Sequence, residues 1–226
     1  MDEEFKKHVD NSVYMRNVAQ EDRPVYNGSV RKIDIQGRQN LPARERILLT
    51  AHDLFYGEGI RATGIDRVIA EAGVTKVTFY RHFPSKNALI CAFLEYRHQR
   101  WMEWFSEALQ RHGSASQGKG LEALVPTLAE WFRDGSFRGC AFINSVGELG
   151  GTVSEVVKIG QRHKQEMMTV IASLLPASTQ RKQDTEAIAL AVDGAIVRAQ
   201  FDETPDAALK ALARVLKSIR PRTTRT

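Results

Sequence analysis

Apolar residues recur at helical spacing over most of the chain after Pro42, and no stretch alternates apolar and polar positions as a strand would. The first helix is predicted over residues 43–57, because Pro42 suits a first helical turn and two glycines follow the last apolar position. Its buried stripe is expected to consist of Ile47, Leu48, Ala51, Leu54 and Phe55. This pattern predicts an all-α fold.

Two short helices are predicted next, separated by a glycine. Thr63 and Asp66 have the spacing of a capping box, in its acid variant, at the start of the second helix. Gly73 is expected to end that helix, because glycine accepts the positive φ that a tight turn requires. Thr75 can cap a third helix over residues 76–83.

The rest of the chain is also predicted to be helical. A long fourth helix over residues 86–110 is followed by a flexible Gly/Ser loop at 113–120. The further helices are expected at 121–134, 139–149, 153–175, 181–201 and 205–219.

Composition and charge narrow the class of protein. Of the 226 residues, 42% are hydrophobic, and the net charge of +5 mildly favours an anionic partner. Two cysteines are too few for a disulfide framework and fit a reducing compartment. The N-terminus lacks the features of a signal peptide, and no apolar run approaches the roughly 18 residues that span a bilayer. We therefore expect a cytoplasmic protein without a membrane partner.

Residues 63–83 have the outline of a helix-turn-helix, in which the second helix must be short, polar outside and presented to the major groove. Val77 and the hydroxyls of Thr75 and Thr78 are small enough to approach base edges or a thymine methyl. Side chains that can reach phosphates lie on this helix and in the first turns of its two neighbours. They are Lys76, Tyr80, Arg81 and His82, with Thr63 before them and Lys86 after them.

Other functions remain open on these residues alone. A helix–glycine–helix pattern also occurs in all-α cores. In that case Tyr80 and Phe83 would be core aromatics, and Lys76 and Arg81 would belong to a solvated face. Phe79 is expected to point inward in both interpretations. A helical ligand-binding or adaptor protein would not need this group of hydroxyls and cations. The chain shows neither a nucleophile and base motif nor a phosphate loop, and its histidines lack metal-ligand spacing. We therefore expect no enzyme activity, no cofactor and no metal.

The run from Gly59 to Leu89 closely resembles the DNA-binding signature of the TetR/AcrR family of bacterial transcriptional regulators. The similarity spans about residues 44–97 and includes Ala-Gly-Val-Thr-Lys, Phe-Tyr-Arg-His-Phe and Pro-Ser-Lys-Asn-Ala-Leu in the family's order and spacing. The resemblance implies a homodimer that binds a palindromic operator in double-stranded DNA. It also implies that the operator is released when a small molecule enters the C-terminal domain. The sign of regulation, repression or activation, is not encoded in the sequence.

The resemblance also implies roles for single residues. Thr63, Tyr80 and Lys86 correspond to phosphate contacts, and Thr75, Lys76 and Thr78 to contacts near bases or backbone. Gly64 replaces the Ser or Thr that is frequent at its position, which weakens the case for one phosphate contact. The implied organisation is an arm at 1–40, a DNA-binding domain at 41–88, an effector-binding and dimerisation domain at 89–220 and a basic tail at 221–226. The arm and the tail are expected to be disordered; alternatively, translation starts later, at Met15.

The effector region has to be inferred from side-chain chemistry. Cys140, Asn144 and Glu148 are four residues apart, so they share one helix face. Cys140 lies in a first helical turn near Arg138, and both features favour a thiolate. Three interpretations stay open: Cys140 senses an oxidant or electrophile, lines the effector pocket, or is a small packing residue. Further pocket candidates, which suit an ordinary core equally well, are Trp101, Phe105, Trp131 and Met167.

The last two predicted helices have apolar faces that suit a four-helix dimer interface of the kind that the resemblance implies. The alternative is packing within the chain. The candidate interface residues are Ile188, Val192, Ala195, Leu212 and Val215.

Overall fold

Nine α-helices and no strand make up residues 38–115 and 120–219, the part of the chain that the structure, a computed structural model, describes. The helices are α1 (Ala43–Glu58), α2 (Ile65–Glu71), α3 (Lys76–His82), α4 (Lys86–Ala115), α5 (Leu124–Phe132), α6 (Ala141–Leu149), α7 (Ser154–Ser173), α8 (Arg181–Phe201) and α9 (Asp206–Ile219). A 3-10 turn, Gly120–Ala123, precedes α5. The predicted all-α fold is confirmed.

The predicted arm and tail fall largely outside the described residues, as do residues 116–119 of the predicted Gly/Ser loop. The loop was predicted to begin at residue 113, but α4 continues to Ala115. The last residues of the arm are described. The Arg38 guanidinium lies 2.5 Å from the Asp53 carboxylate on α1, and the Gln39 carbonyl accepts a hydrogen bond from Arg46. Residues 38 and 39 are therefore bound to α1 rather than disordered.

The first three helices share a small core with the start of α4. The stripe predicted on α1 is buried, with Ile47 and Ala51 fully so. Val68 of α2 and Phe79 of α3 are buried as well, and Phe79 points inward as predicted. Phe83 is also buried, so the alternative interpretation as a core aromatic is correct for that residue. Burial of these side chains leaves the opposite face of α3 at the surface.

One long helix, α4, joins this unit to the rest of the molecule. Its 30 residues span roughly 45 Å at 1.5 Å per residue. It packs against α1 near its start and against α5, α6 and α7 further along. The domain boundary predicted at residue 88 therefore lies inside a continuous helix.

An aromatic cluster forms the core of the C-terminal body. Trp101 stacks on Phe105 with ring centroids 4.6 Å apart, and Trp131 of α5 meets Trp101 edge-on at 5.5 Å. Helices α8 and α9 pack against each other, α8 also against α7 and α9 against α5, and so close the body. Within the described residues, no helix is long and apolar enough to cross a membrane.

Candidate nucleic-acid interface

The outer face of α3 is a compact exposed surface, which we call the α3 face: Lys76, Val77, Tyr80 and Arg81. Val77 is 71% exposed and Tyr80 41%, although both are large hydrophobic side chains. Neighbouring exposed apolar side chains that are flanked by polar residues are typical of a surface that binds a partner. An α-helix with its side chains is about 10–12 Å in diameter, which fits the ~12 Å width of a major groove.

The N-terminus of α3 is capped as predicted. The hydroxyl of Thr75 accepts a hydrogen bond from the Thr78 backbone N–H at 3.1 Å, which satisfies one of the free donors of the first turn. The two threonine hydroxyls also bond to each other at 2.9 Å. Both side chains that are expected to read bases are thus held in fixed orientations at the start of α3.

The turn between α2 and α3 is fixed by backbone geometry and by one arginine. Gly73 has φ of +61°, the left-handed conformation predicted for it. Arg46 of α1 donates to the carbonyls of Ala72 (3.1 Å) and Gly73 (3.2 Å), the free acceptors at the end of α2. Sequence reasoning missed Arg46, because an arginine on a helix is usually a solvated cation and nothing in its spacing points to the turn.

Thr63 has a different role from the one predicted. It is fully buried, and its hydroxyl donates to the Gly59 carbonyl at 2.8 Å, so it is not available to a phosphate in this conformation. The N-cap of α2 is Gly64, which has no side chain to cap with. The predicted capping box of Thr63 and Asp66 is therefore wrong: helix α2 begins two residues after Thr63.

Lys86 and Glu148 hold the loop between α1 and α2, residues 59–64. The Lys86 ammonium donates to the Ile60 carbonyl at 2.6 Å, and its partial burial lowers its pKa while the charge of Glu148 raises it. The Glu148 carboxylate, on α6, accepts the backbone N–H groups of Ile60 (3.3 Å) and Arg61 (2.8 Å). Lys86 thus contacts the protein's own loop in this structure, whereas it was predicted to contact a DNA phosphate.

Helix α1 is tied to the C-terminal body at two further points. The Tyr56 hydroxyl donates to the Gly139 carbonyl at 2.9 Å and accepts the Arg138 N–H at 3.0 Å. The Arg97 guanidinium of α4 lies over the Tyr56 ring, 3.6 Å from its centroid, and bonds to His52 at 3.1 Å. These contacts connect the helix-turn-helix unit to the start of α6 and to the middle of α4.

Four of the six predicted effector-pocket residues meet in the body: Trp101, Trp131, Cys140 and Met167 line one cavity. Its volume of about 10 Å³ is room for about one water molecule. His163 closes it, stacked on Phe142 at 3.7 Å. Burial, reinforced by the charge of Lys164, lowers the pKa of His163 to about 2, so this imidazole is neutral.

The other two predicted pocket residues lie elsewhere. Phe105 lines neither of the two cavities described here, because it is buried beneath Trp101. Asn144 lines a second cleft of about 210 Å³, between α1 and α6, together with Tyr56, Arg138 and Glu148. Asn144 donates to the Arg138 carbonyl at 2.9 Å and thereby fixes the loop before α6.

Cys140 is the N-cap of α6 and not a residue of its first turn, because the helix begins at Ala141 and not at the predicted residue 139. Its side chain is buried. The nearby cation is directed elsewhere: the Arg138 guanidinium donates to the Phe137 carbonyl at 2.7 Å and the Gly135 carbonyl at 3.2 Å. This environment favours the interpretation of Cys140 as a packing or cavity-lining residue.

The predicted dimer face needs correction. Ile188, Val192, Ala195 and Leu212 are buried within the chain, because this side of α8 and α9 packs against neighbouring helices, so the prediction is wrong for these four. Only Val215 is exposed, at 37%. The exposed apolar residues of α8 lie on its other side and form what we call the α8 stripe, which combines two large side chains with two small residues. The stripe consists of Ala187, Leu190 (75% exposed), Gly194 and Phe201 (78% exposed).

A family profile described as bacterial regulatory proteins of the tetR family matches residues 47–93, which cover α1, α2, α3 and the start of α4. An uncharacterised HTH-type transcriptional regulator of Bacillus subtilis, YerO, is 43% identical over 53 residues, 24% of this chain and 18% of that protein. The HTH-type transcriptional repressor NemR of Escherichia coli is 27% identical over 106 residues, 47% of this chain and 53% of NemR. The matches thus span about half the length of these relatives or less.

Solved structures extend the likeness to the whole described fold. SCO4454, a TetR-family transcriptional regulator from Streptomyces coelicolor, superposes with a TM-score of 0.67 at 29% identity, over 78% of this chain and 95% of that one. The reduced form of E. coli NemR superposes with a TM-score of 0.66 at 21% identity, which concerns the fold alone. The described residues contain no cluster of histidine, cysteine or acidic side chains that could hold a metal ion.

Proposed function

We propose that the chain is a member of the TetR family of bacterial regulatory proteins and acts as a transcriptional repressor that binds a palindromic operator as a homodimer; the matching family profile and the superposition on SCO4454 support this proposal. A small molecule in the C-terminal body releases it from DNA. Regulators of this family bind DNA and dimerise, and the related E. coli NemR is named a repressor. We also propose that the operator is palindromic, that the effector is a small molecule and that the protein has no enzyme activity.

The α3 face carries this proposal. Val77 and Tyr80 are exposed large side chains next to Lys76 and Arg81, on a capped helix whose inner side is fixed by Phe79. In the major groove, Val77 would contact a thymine methyl, and the hydroxyl of Thr78 a base edge. Lys76, Tyr80, Arg81 and His82 would contact phosphates, which supply affinity without sequence preference.

Dimerisation follows from the geometry of a palindrome. Two recognition helices have to lie about 34 Å apart to read successive major grooves. We assign the interface to the α8 stripe, because Leu190 and Phe201 are exposed apolar side chains and Gly194 between them permits close helix contact. The exposed side of α9, with Val215, would complete the four-helix contact.

The effector site would be the cavity lined by Trp101, Trp131, Cys140 and Met167. Its lining is mostly apolar and aromatic, as in most small-molecule sites. With room for one water, it has to open before a larger molecule enters. A ligand that binds the opened body better than the closed one shifts the equilibrium away from the DNA-binding conformation.

Enrichment of bound duplexes from a random-sequence library, with the full chain, tests the DNA-binding part. We expect a palindromic consensus, and an affinity that falls steeply between 50 and 200 mM salt, roughly tenfold or more for a few neutralised phosphates. Binding that ignores both sequence and salt would contradict the proposal. Transcription in vitro from a promoter that carries the consensus then separates repression from activation.

Variants of α3 test the assigned contacts on that duplex. Thr78→Val keeps the shape of the side chain but removes the hydroxyl, and should change the preferred base at one position, with a discrimination change of about 1–3 kcal/mol. Tyr80→Phe should weaken binding to all duplexes by the same factor, because it removes a hydroxyl that would contact a phosphate. Thr169→Val, an exposed threonine on α7, is the matched control. Unchanged consensus and affinity in both α3 variants would show that α3 does not enter the groove.

A further inference from the structure

The loop between α1 and α2 depends on a residue from the C-terminal body. Its backbone N–H groups at Ile60 and Arg61 have the Glu148 carboxylate as acceptor, and the Ile60 side chain is buried in the core beneath. Hydrogen bonds to a charged acceptor are about twice as strong as neutral ones. The loop leads directly into α2, so its position sets where the helix-turn-helix begins.

Glu148 is close to the C-terminal end of α6, and the other end of that helix lines the body cavity. Cys140, Ala141 and Phe142 belong to the cavity lining, at the N-terminal end of α6. The nine residues of α6 span about 13 Å, so one short rigid helix connects the cavity with the loop. A displacement of α6 at the cavity therefore moves the Glu148 carboxylate as well.

The loop has little freedom to adapt to such a displacement. Gly59, at its start, has φ of +96°, a backbone conformation that L side chains rarely adopt. At its other end, the Thr63 hydroxyl bonds back to the Gly59 carbonyl, so the loop is closed on itself. A displacement of Glu148 therefore either pulls the loop against its Lys86 hydrogen bond or breaks the two bonds to Glu148.

We propose that Glu148 is a positioning residue for operator binding: its two hydrogen bonds to the α1–α2 loop hold the recognition helix in the orientation that fits the operator. This inference rests on the proposed function. It adds the residues through which a structural change in the C-terminal body alters operator binding. Glu148 does not contact DNA in this assignment. It acts through the loop on α2 and α3, and α6 carries changes in the cavity to it.

The test compares Glu148→Gln, Glu148→Asp and wild type on the duplex that wild type enriches. Gln presents one acceptor and one NH₂ group to the two N–H donors, so one bond is lost, and Asp draws the carboxylate back by one methylene. Glu155→Gln removes the same charge from an exposed acid on α7 and is the control. We expect Glu148→Gln to weaken operator binding roughly tenfold, within the range typical of coupled sites, and Glu148→Asp to give an intermediate value.

Two readouts separate positioning from simple stabilisation. On a duplex with two base pairs inserted between the half-sites, wild type should lose affinity steeply. Glu148→Gln should lose much less, because its recognition helices are no longer held in one orientation. Amide hydrogen exchange at residues 60 and 61 should rise in both Glu148 variants, while exchange in α4 stays unchanged.

The outcomes discriminate clearly. If Glu148→Gln binds and discriminates spacing like Glu155→Gln, the inference is overturned and the proposed function stands. Equal weakening on the operator, the spaced duplex and an unrelated duplex also overturns it, since that pattern reports a general loss of folded protein. Should Glu148→Gln not fold, the comparison of Glu148→Asp with wild type decides by the same criteria. A wild-type chain that enriches no duplex overturns the proposed function and this inference together.

Discussion

Acidification should destabilise this protein through His52, which lies where α1 meets α4. Its ring is buried between two partners: Asp53 lies 3.1 Å from Nδ1, and Arg97 lies 3.1 Å from Nε2. Because arginine can only donate, Nε2 has to accept, and the ring proton is on Nδ1. Burial lowers the pKa of His52 to about 4, with the charge of Arg97 adding to the effect and the bond to Asp53 opposing it.

The magnitude follows from the difference between folded and unfolded chains. The unfolded chain takes up this proton near pH 6.5, but the folded chain does so only near pH 4. The folded state therefore keeps its full stability above pH 6.5 and loses it progressively down to pH 4. Proton linkage gives a loss of about 2 kcal/mol at pH 5 and about 3 kcal/mol at pH 4 from this one residue.

Urea unfolding at pH 7.5 and pH 5.0 measures the effect in wild type, His52→Gln and His82→Gln. Glutamine offers Arg97 an acceptor but does not titrate, so the drop in the free energy of unfolding should be about 2 kcal/mol smaller in His52→Gln than in wild type. His82→Gln removes a histidine at the end of α3 and should behave as wild type. The buried His163 titrates alike in all three proteins, so its contribution cancels. An equal drop in His52→Gln and wild type would refute the assignment.

Three other outcomes follow from the structure. Arg46→Met removes two charge-assisted hydrogen bonds to the α2–α3 turn and should lower the thermal midpoint by roughly 4–8 °C, for a loss of about 2 kcal/mol; an unchanged midpoint in calorimetry would contradict this role. Phe201→Arg should convert a dimer into monomers in sedimentation at micromolar concentration, and persistence of the dimer would exclude the α8 stripe as the interface. A thiol reagent should label the half-buried Cys91 in the native protein and Cys140 only after urea unfolding; equally fast labelling of both would contradict the packing role of Cys140.

The helices were largely predictable from the sequence, because their apolar residues recur at helical spacing and proline or glycine flanks several of them. The predicted α8 coincides with the observed Arg181–Phe201, and Pro42 and Gly59 flank α1. The start of α2 was not predicted, because Thr63 had the right spacing for a cap but its hydroxyl bonds backwards to Gly59. A capping pattern identifies a side chain that can form the cap. It does not reveal whether that side chain bonds to the helix N-terminus or to another backbone group nearby, as Thr63 does.

Which side chains of the candidate DNA-binding site are exposed was predictable where a single helix carries them. Contacts between segments that are far apart in the sequence were not predictable. Val77 and Tyr80 are exposed on α3 because Phe79 takes the inner side, which the helical period already implies. Glu148 is 87 residues from Arg61, and a single acid on an amphipathic helix is usually solvated, so the sequence carried no signal for this contact. The α8 stripe was missed for a related reason: the more apolar side of a helix belongs to the core, and only its weaker side is left for a partner.

If the body cavity is the effector site, as proposed, the tight aromatic packing around it opposes the entry of any ligand. Opening room for even ten atoms requires Trp101, Phe142 and His163 to separate, and the dispersion and desolvation energy lost in doing so is subtracted from the ligand's intrinsic affinity. Weakly binding metabolites would then be excluded by the cost of opening the cavity, without any steric clash against them. The cohesion of the interior would determine the ligand concentration at which the protein responds, and replacing one of these rings by a smaller side chain should lower that concentration.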